Sequence, residues 1–250
     1  TSTDLTNWTH LGECFRPSTG PAWDDYTTWT GSVVRGGDAQ WHLYYTGACR
    51  AEDGMYQRIG HAVSDDLHSW KRVGTGLILD LEGPNAHHYE VRMEDSLWHD
   101  RAMRDPDGDG WLMFFTARSA GVQEPNAGGC IGFATSPNGF DWTLQPPVFT
   151  GGYGQLEVPQ VFQARGQWYC LFCTAAEHFS KDQAAATTGG PVTGNHYLIG
   201  DSPRGPWRIA PEFLDGALPP RRYAARIVDT GDGLVILGFA DRPDGGDFVG

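Results

Sequence analysis

Two acids in this sequence stand where they could do chemistry. Asp105 directly follows Arg104 in the run Trp98 to Arg118, WHDRAMRDPDGDGWLMFFTAR. A guanidinium beside a carboxylate favours the ionised acid and holds it in position. Glu157 lies between Leu156 and Val158 in an apolar run, where desolvation would favour the protonated form. Carboxyls whose environments push their protonation apart make the arrangement that general acid–base work needs. By itself an Arg-Asp pair ahead of a proline is also what opens an ordinary surface hairpin. The case for chemistry rests on what accompanies it.

The accompanying elements repeat. Pro106 withdraws its N–H from any ladder, Gly108 to Gly110 reads as a tight turn, and an aromatic-rich strand follows. Similar paired runs occur as TWTGSVV from Thr28 with WHLYYTG, LEVPQVF from Leu156 with WYCLFCTA, and YAARIVD from Tyr223 with LVILGFA. A third feature returns as TSTDLTNWTHLG at residues 1–12, AVSDDLHSWKRVG from Ala62, ATSPNGFDWTLQP from Ala134 and, shortened, GDSPRGPWRIAP from Gly200. Each copy carries a serine, a polar turn and a tryptophan that opens a strand. With Gly 34, Pro 16 and Trp 10 and few helical patterns, this predicts an all-β chain forming one domain over residues 1–250, a β-propeller.

In a propeller the first strand of every blade lines the central channel. Trp29, Ser32, Arg104, Asp105, Glu157, Tyr223 and Arg226 are therefore predicted to be neighbours at one end of it. The first serine–tryptophan turn has no inner strand ahead of it. Either the first blade is incomplete in this chain, which is favoured, or residues 1–12 close a four-bladed ring.

A formal net charge of −13 excludes nucleic acid and anionic membrane surfaces as partners, because each would be repelled before contact. A neutral ligand is the expected partner. No signal peptide or membrane-spanning apolar run is visible, which leans toward the cytoplasm. Five cysteines are an odd number, and the CxxC spacing of Cys170 and Cys173 falls in a strand-like run, so packing is expected there rather than redox or zinc chemistry. His87 and His88 lack a spaced third ligand, and DPDGDG lacks the later glutamate of a calcium loop, so no metal or cofactor is expected. The stretch from Pro84 to Trp98 reads as a loop capping the channel, and the small-residue run from Ala175 to Gly194 as a mobile rim.

The residues resemble the five-bladed propeller glycoside hydrolases of families 32 and 68, the β-fructofuranosidases and levansucrases. The resemblance rests on WTGS at Trp29 to Ser32 with Asp24 and Asp25 ahead of it, RDP at Arg104 to Pro106, and EVP at Glu157 to Pro159. The family 43 enzymes share the fold, but their middle acid usually lacks the preceding arginine, so Arg104 favours fructofuranosyl substrates. The resemblance implies a retaining two-carboxylate mechanism with Asp105 as transition-state stabiliser and Glu157 as general acid/base. It implies a neutral oligosaccharide or small glycoside as ligand, held by Trp29, Ser32, Asp24, Asp25, Arg104, Tyr223 and Arg226. The family's nucleophile, an aspartate on the first blade's inner strand, has no counterpart in this sequence. A fructosyltransferase and a carbohydrate-binding propeller without turnover stand as alternatives.

Overall fold

The polar turns that recur along the chain are built by one hydrogen-bond pattern. Ser64 Oγ accepts from the N–H groups of Asp66 and Leu67, Asp66 Oδ1 accepts from those of His68 and Ser69, and the Trp70 indole donates to the Leu67 carbonyl. Ser2, Asp4 and Trp8 repeat this set, as do Ser136, Asn138 and Trp142. Leu5, Leu67 and Gly139, at the same offset in the three copies, all have positive φ. Side-chain oxygens here take the N–H groups that a strand partner would otherwise satisfy, which is why serine and Asp or Asn recur at these offsets.

The computed structural model describes residues 1–92, 101–109, 112–216 and 221–241. Between the turns lie antiparallel sheets whose strands follow chain order. The first contains β1 (Thr27–Arg35), β2 (Trp41–Ala48), β3 (Arg58–Ser64) and β4 (Lys71–Leu79). The second contains β5 (Met103–Asp109), β6 (Leu112–Arg118), β7 (Gly129–Thr135) and β8 (Thr143–Thr150). The third contains β9 (Glu157–Ala164), β10 (Gln167–Thr174), β11 (Gly194–Gly200) and β12 (Trp207–Ile209), with β13 (Asp215–Gly216) also paired to β11. Strands β14 (Arg221–Asp229) and β15 (Leu234–Asp241) pair with each other alone among the described residues.

These sheets are the blades of an incomplete β-propeller, with β1, β5, β9 and β14 as inner strands. The four-bladed alternative is corrected: residues 1–12 contain no strand, so they do not close the sheet begun by β14. Of the expected turn at Gly108 to Gly110, Gly110 lies outside the described residues, and Gly108 and Asp109 belong instead to β5. Pro106 is tolerated there since it lies where the β5–β6 register shifts, between Arg104 and Asp107, and no ladder N–H is required of it. Trp98, Trp111 and the later part of the expected capping loop lie outside the described residues. The run read as a mobile rim folds onto the third blade. A short helix, α1 (Lys181–Ala186), is capped by Ser180, and Phe179 beside it is buried.

Apolar side chains fill the spaces between blades. Tyr44, Ile59, Met103, Met113 and Phe115 join the first and second blades, and Phe114, Ile131, Leu156, Phe172 and Leu198 join the second and third. Cys170 belongs to the latter cluster, and all five cysteines are free thiols.

Among the described residues the channel-facing edge of each inner strand has no strand partner, so its polar groups must be satisfied from the next blade. One side chain per blade does this at equivalent positions. Ser32 Oγ accepts from Gly108 N–H at 3.0 Å, Asp107 Oδ2 from Val161 N–H at 2.9 Å, and Gln160 Oε1 from Ile227 N–H at 2.7 Å. Gln160 Nε2 also donates to the Ile227 carbonyl at 2.9 Å. Gln160→Leu strands both backbone groups of Ile227, and is expected to cost about 2 kcal/mol, read as a lower melting temperature with the folded spectrum retained.

Candidate functional site

Ser32, Asp107 and Gln160 form a layer that staples neighbouring inner strands, and above this staple layer each inner strand bulges. In register, Trp29 faces Thr46, Arg104 faces Thr116, Glu157 faces Cys173 and Tyr223 faces Phe239, and every one of these pairs is followed by a register shift. The residue after each of the last three inner positions, Asp105, Val158 or Ala224, has φ of 58°, 49° or 49°. Non-glycine residues held in this region cost about 1–3 kcal/mol each, and a bulge re-aims the side chains beside it. Equivalent bulges on successive blades therefore turn equivalent side chains toward one place.

Arg104, Glu157 and Tyr223 meet there. Arg104 Nη2 lies 2.9 Å from Glu157 Oε1, and the Tyr223 hydroxyl donates to Glu157 Oε2 at 2.6 Å. Arg104 Nη1 donates to Gln57 Oε1 at 3.1 Å, and its Nε stands 3.6 Å from Asp105 Oδ2. One guanidinium thus reaches both acids. Asp105 is 5% exposed. Its Oδ2 accepts from the Val158 N–H and the Thr116 hydroxyl, each at 3.1 Å, and its own N–H donates to Thr46 Oγ1 at 2.8 Å. Trp29, at the matching position of the first blade, leaves its ring half exposed.

The electrostatics depart from the expectation. Arg104 was expected to hold Asp105 ionised while desolvation kept Glu157 protonated, but the guanidinium makes its short contact with Glu157 instead. Burial raises the Asp105 carboxyl above its ordinary value, outweighing the pull of Arg104 in the other direction, and the neighbouring Glu157 adds to the rise. Burial also raises the Tyr223 hydroxyl far above its ordinary range, helped by Cys173 and Glu157. Tyr223 is accordingly a proton-bearing donor at any working pH, and both Glu157 oxygens serve as acceptors.

Four residues expected at the ligand place their polar atoms elsewhere, which corrects that expectation. Asp24 is wholly buried, with Oδ2 accepting from the Tyr45 hydroxyl and Arg72 Nε at 2.8 Å each. Asp25 accepts from the N–H groups of Arg50 and Ala22. Both fasten the incoming segment to the first blade. Ser32 belongs to the staple layer. So does Arg226, whose Nη2 lies 2.7 Å from Asp107 Oδ1 and whose Nη1 donates to the Pro159 carbonyl.

Sequence reading gave no place at the site to Gln57, Asp107, Thr46 and Thr116, and read Cys173 as packing. Aligning the second strands as YYT, FFT and LFC shows the last three at one offset, the available signal for them. His87 Nδ1 is within 2.7 Å of the Pro84 carbonyl. Among the described residues no group of three His, Cys, Asp or Glu side chains is placed to hold a metal ion.

Residues 1–205 match the family model described as glycosyl hydrolases family 32, N-terminal domain. No curated protein matches by sequence. Among solved structures the chain is similar to an inulosucrase from Halalkalicoccus jeotgali bound to kestose, with a TM-score of 0.69 and 22% identity over 90% of this chain. It is similar as well to Bacillus subtilis levansucrase, with a TM-score of 0.67 and 17% identity over 87% of this chain, and to a levansucrase variant complexed with sucrose at the same TM-score, identity and coverage. This chain spans 62% of the length of each of these three.

The raised Asp105 carboxyl fixes a stability test. The folded protein binds that proton more tightly than the unfolded chain, so Asp105 costs nothing below the ordinary value of 3.8 and destabilises progressively as pH rises through the folded value. Asp105→Asn is expected to be more stable than the parent at neutral pH, with the difference vanishing at pH about 3; urea unfolding at both pH values checks this.

Proposed function

Because the chain belongs to glycosyl hydrolase family 32, we propose that it acts on fructofuranosyl-containing sugars at the cluster around Arg104. Glu157 is the general acid/base and Asp105 the carboxylate that holds sugar hydroxyls and faces developing positive charge on the ring. The observation that carries this reading is the convergence of Arg104, Glu157 and Tyr223 from three different blades, with one guanidinium within reach of both acids. The kestose and sucrose in two of the similar structures support a sugar as the ligand.

The roles follow from what each atom has left to give. Asp105 Oδ2 is committed to Thr116 and Val158, whereas Oδ1 takes no hydrogen bond among the described residues and is the oxygen open to a hydroxyl. Arg104, held by Gln57, is a fixed multiple donor. For Glu157 to deliver a proton to a leaving oxygen, one of its two acceptor contacts must give way to the ligand. Arg104 supplies that freedom, since a hydroxyl can take its place on the guanidinium. Trp29 offers a flat apolar face to a sugar ring.

A retaining mechanism also needs a carboxylate about 5 to 5.5 Å from the acid, acting as nucleophile. Of the described acids, Asp105 and Glu157 reach this cluster, and Asp107 sits in the layer below, tied to Val161 and Arg226. A second reading, a propeller that binds carbohydrate without turnover, is favoured by the double engagement of Glu157 by Arg104 and Tyr223.

Incubating the protein with sucrose, inulin and levan while following released sugar, beside calorimetric binding of sucrose, separates the two. The expected result is release, with Glu157→Gln and Asp105→Asn folded but slower by a factor of about 10² to 10⁴. Binding without release selects the second reading, and neither binding nor release overturns both.

A further inference from the structure

Cys173 occupies in the third blade the place that Thr46 and Thr116 hold in the first and second, opposite the inner residue just before the bulge. All three use the γ atom to tie down a bulge. Thr46 Oγ1 donates to the Thr30 carbonyl at 2.9 Å and accepts from Asp105 N–H at 2.8 Å. Thr116 Oγ1 lies 3.1 Å from Asp105 Oδ2 and 3.0 Å from the Leu156 carbonyl. In each case the contacts run from the blade's own inner strand to that of the next.

The third member ties its own inner strand with sulfur. Cys173 Sγ donates to the Glu157 carbonyl at 3.5 Å, and its strand, β10, also packs against β14. Glu157 and Val158 form the bulge of β9, and Tyr223 and Ala224 form that of β14. The sulfur is therefore bonded to the bulge that carries Glu157, on a strand packed against the one that carries its donor, Tyr223. Cys173 is 1% exposed, and its burial beside Glu157 and Asp105 raises the thiol well above its ordinary value. It stays a neutral S–H, without the thiolate that nucleophilic or redox chemistry requires.

We propose that Cys173 is a positioning residue of the sugar site: its thiol ties down the β9 bulge behind Glu157 and so sets where the Glu157 carboxylate stands against a bound sugar. This rests on the reading of Glu157 as an acid that faces the sugar. The bulge makes the tie necessary. Val158 is held at φ 49°, where the β9–β10 register shifts, and the Glu157 carbonyl takes the thiol as a donor. Without the thiol, the strained backbone under Glu157 is free to relax.

The test is a double-mutant cycle read by calorimetric binding of a pyrrolidine iminosugar shaped like fructofuranose, a cation that carboxylates attract and that hydrolysis does not consume. Cys173→Ala is expected to weaken binding about fivefold, Glu157→Gln about tenfold or more, and the double variant no further than Glu157→Gln alone. Cys173→Ser, which restores a donor to the Glu157 carbonyl, is expected to return affinity to within about twofold of the parent. Should Cys173→Ala fail to fold, Cys173→Val, which fills the space without a donor, takes its place in the cycle. Losses that multiply in the double variant, or parental affinity without the thiol, overturn the inference and leave Cys173 as packing. A parent protein that does not bind the iminosugar overturns the sugar-site reading itself, and this inference with it.

Discussion

Every blade of this propeller turns a bare strand edge toward the channel, and the structure is arranged around satisfying the backbone groups on that edge. Two layers of side chains do so. Ser32, Asp107 and Gln160 each take an N–H from the next inner strand. One layer higher, Thr46, Thr116 and Cys173 hold the bulges at which those strands depart from regular pairing. Burying unpaired amides would cost about 1–3 kcal/mol each, so the two layers together are what allow open sheet edges to meet without closing into one sheet. The site is the by-product of the upper layer: bulges that must be held are also bulges that aim side chains.

Arg104 concentrates this geometry. It stands on the second blade, takes its orientation from Gln57 of the first, and spends its charge on Glu157 of the third. Three blades are thereby coupled through one planar group, whose fork is suited to fixed, multiple hydrogen bonds. Asp105 is held differently, in a dry position where its charge is opposed by burial and supported by an N–H and a hydroxyl. An acid kept in such a place at a cost to folding is a mark of a functional site more often than of a structural one.

Likeness to the inulosucrase and the levansucrases lies in the arc of blades, at identities where fold is shared more securely than substrate. What this chain adds from its own residues is the Arg104–Glu157–Tyr223 contact, the half-exposed Trp29, and a thiol where the other blades use threonine. Asp24 and Asp25 mark the opposite lesson. Two adjacent acids ahead of a motif look like ligand groups, yet Asp24 is consumed by Arg72 and Tyr45 inside the first blade.

Much of the architecture was legible in the sequence because it is written locally. Alternating apolar runs place β1, β5, β9 and β14 with their partners, and the Ser, Asp or Asn, and Trp offsets spell out a turn whose hydrogen bonds stay within a few residues. The convergence of Arg104, Glu157 and Tyr223 was legible for the same reason, since equivalent positions in a repeat must come together around an axis. Other features depended on neighbours far along the chain. Which acid Arg104 would grip, and whether Ser32 and Arg226 faced ligand or backbone, were decided only when the blades met. Hydrogen bonds across blades and the burial of a carboxyl depend on distances between strands more than fifty residues apart, and no local pattern of residue types encodes them.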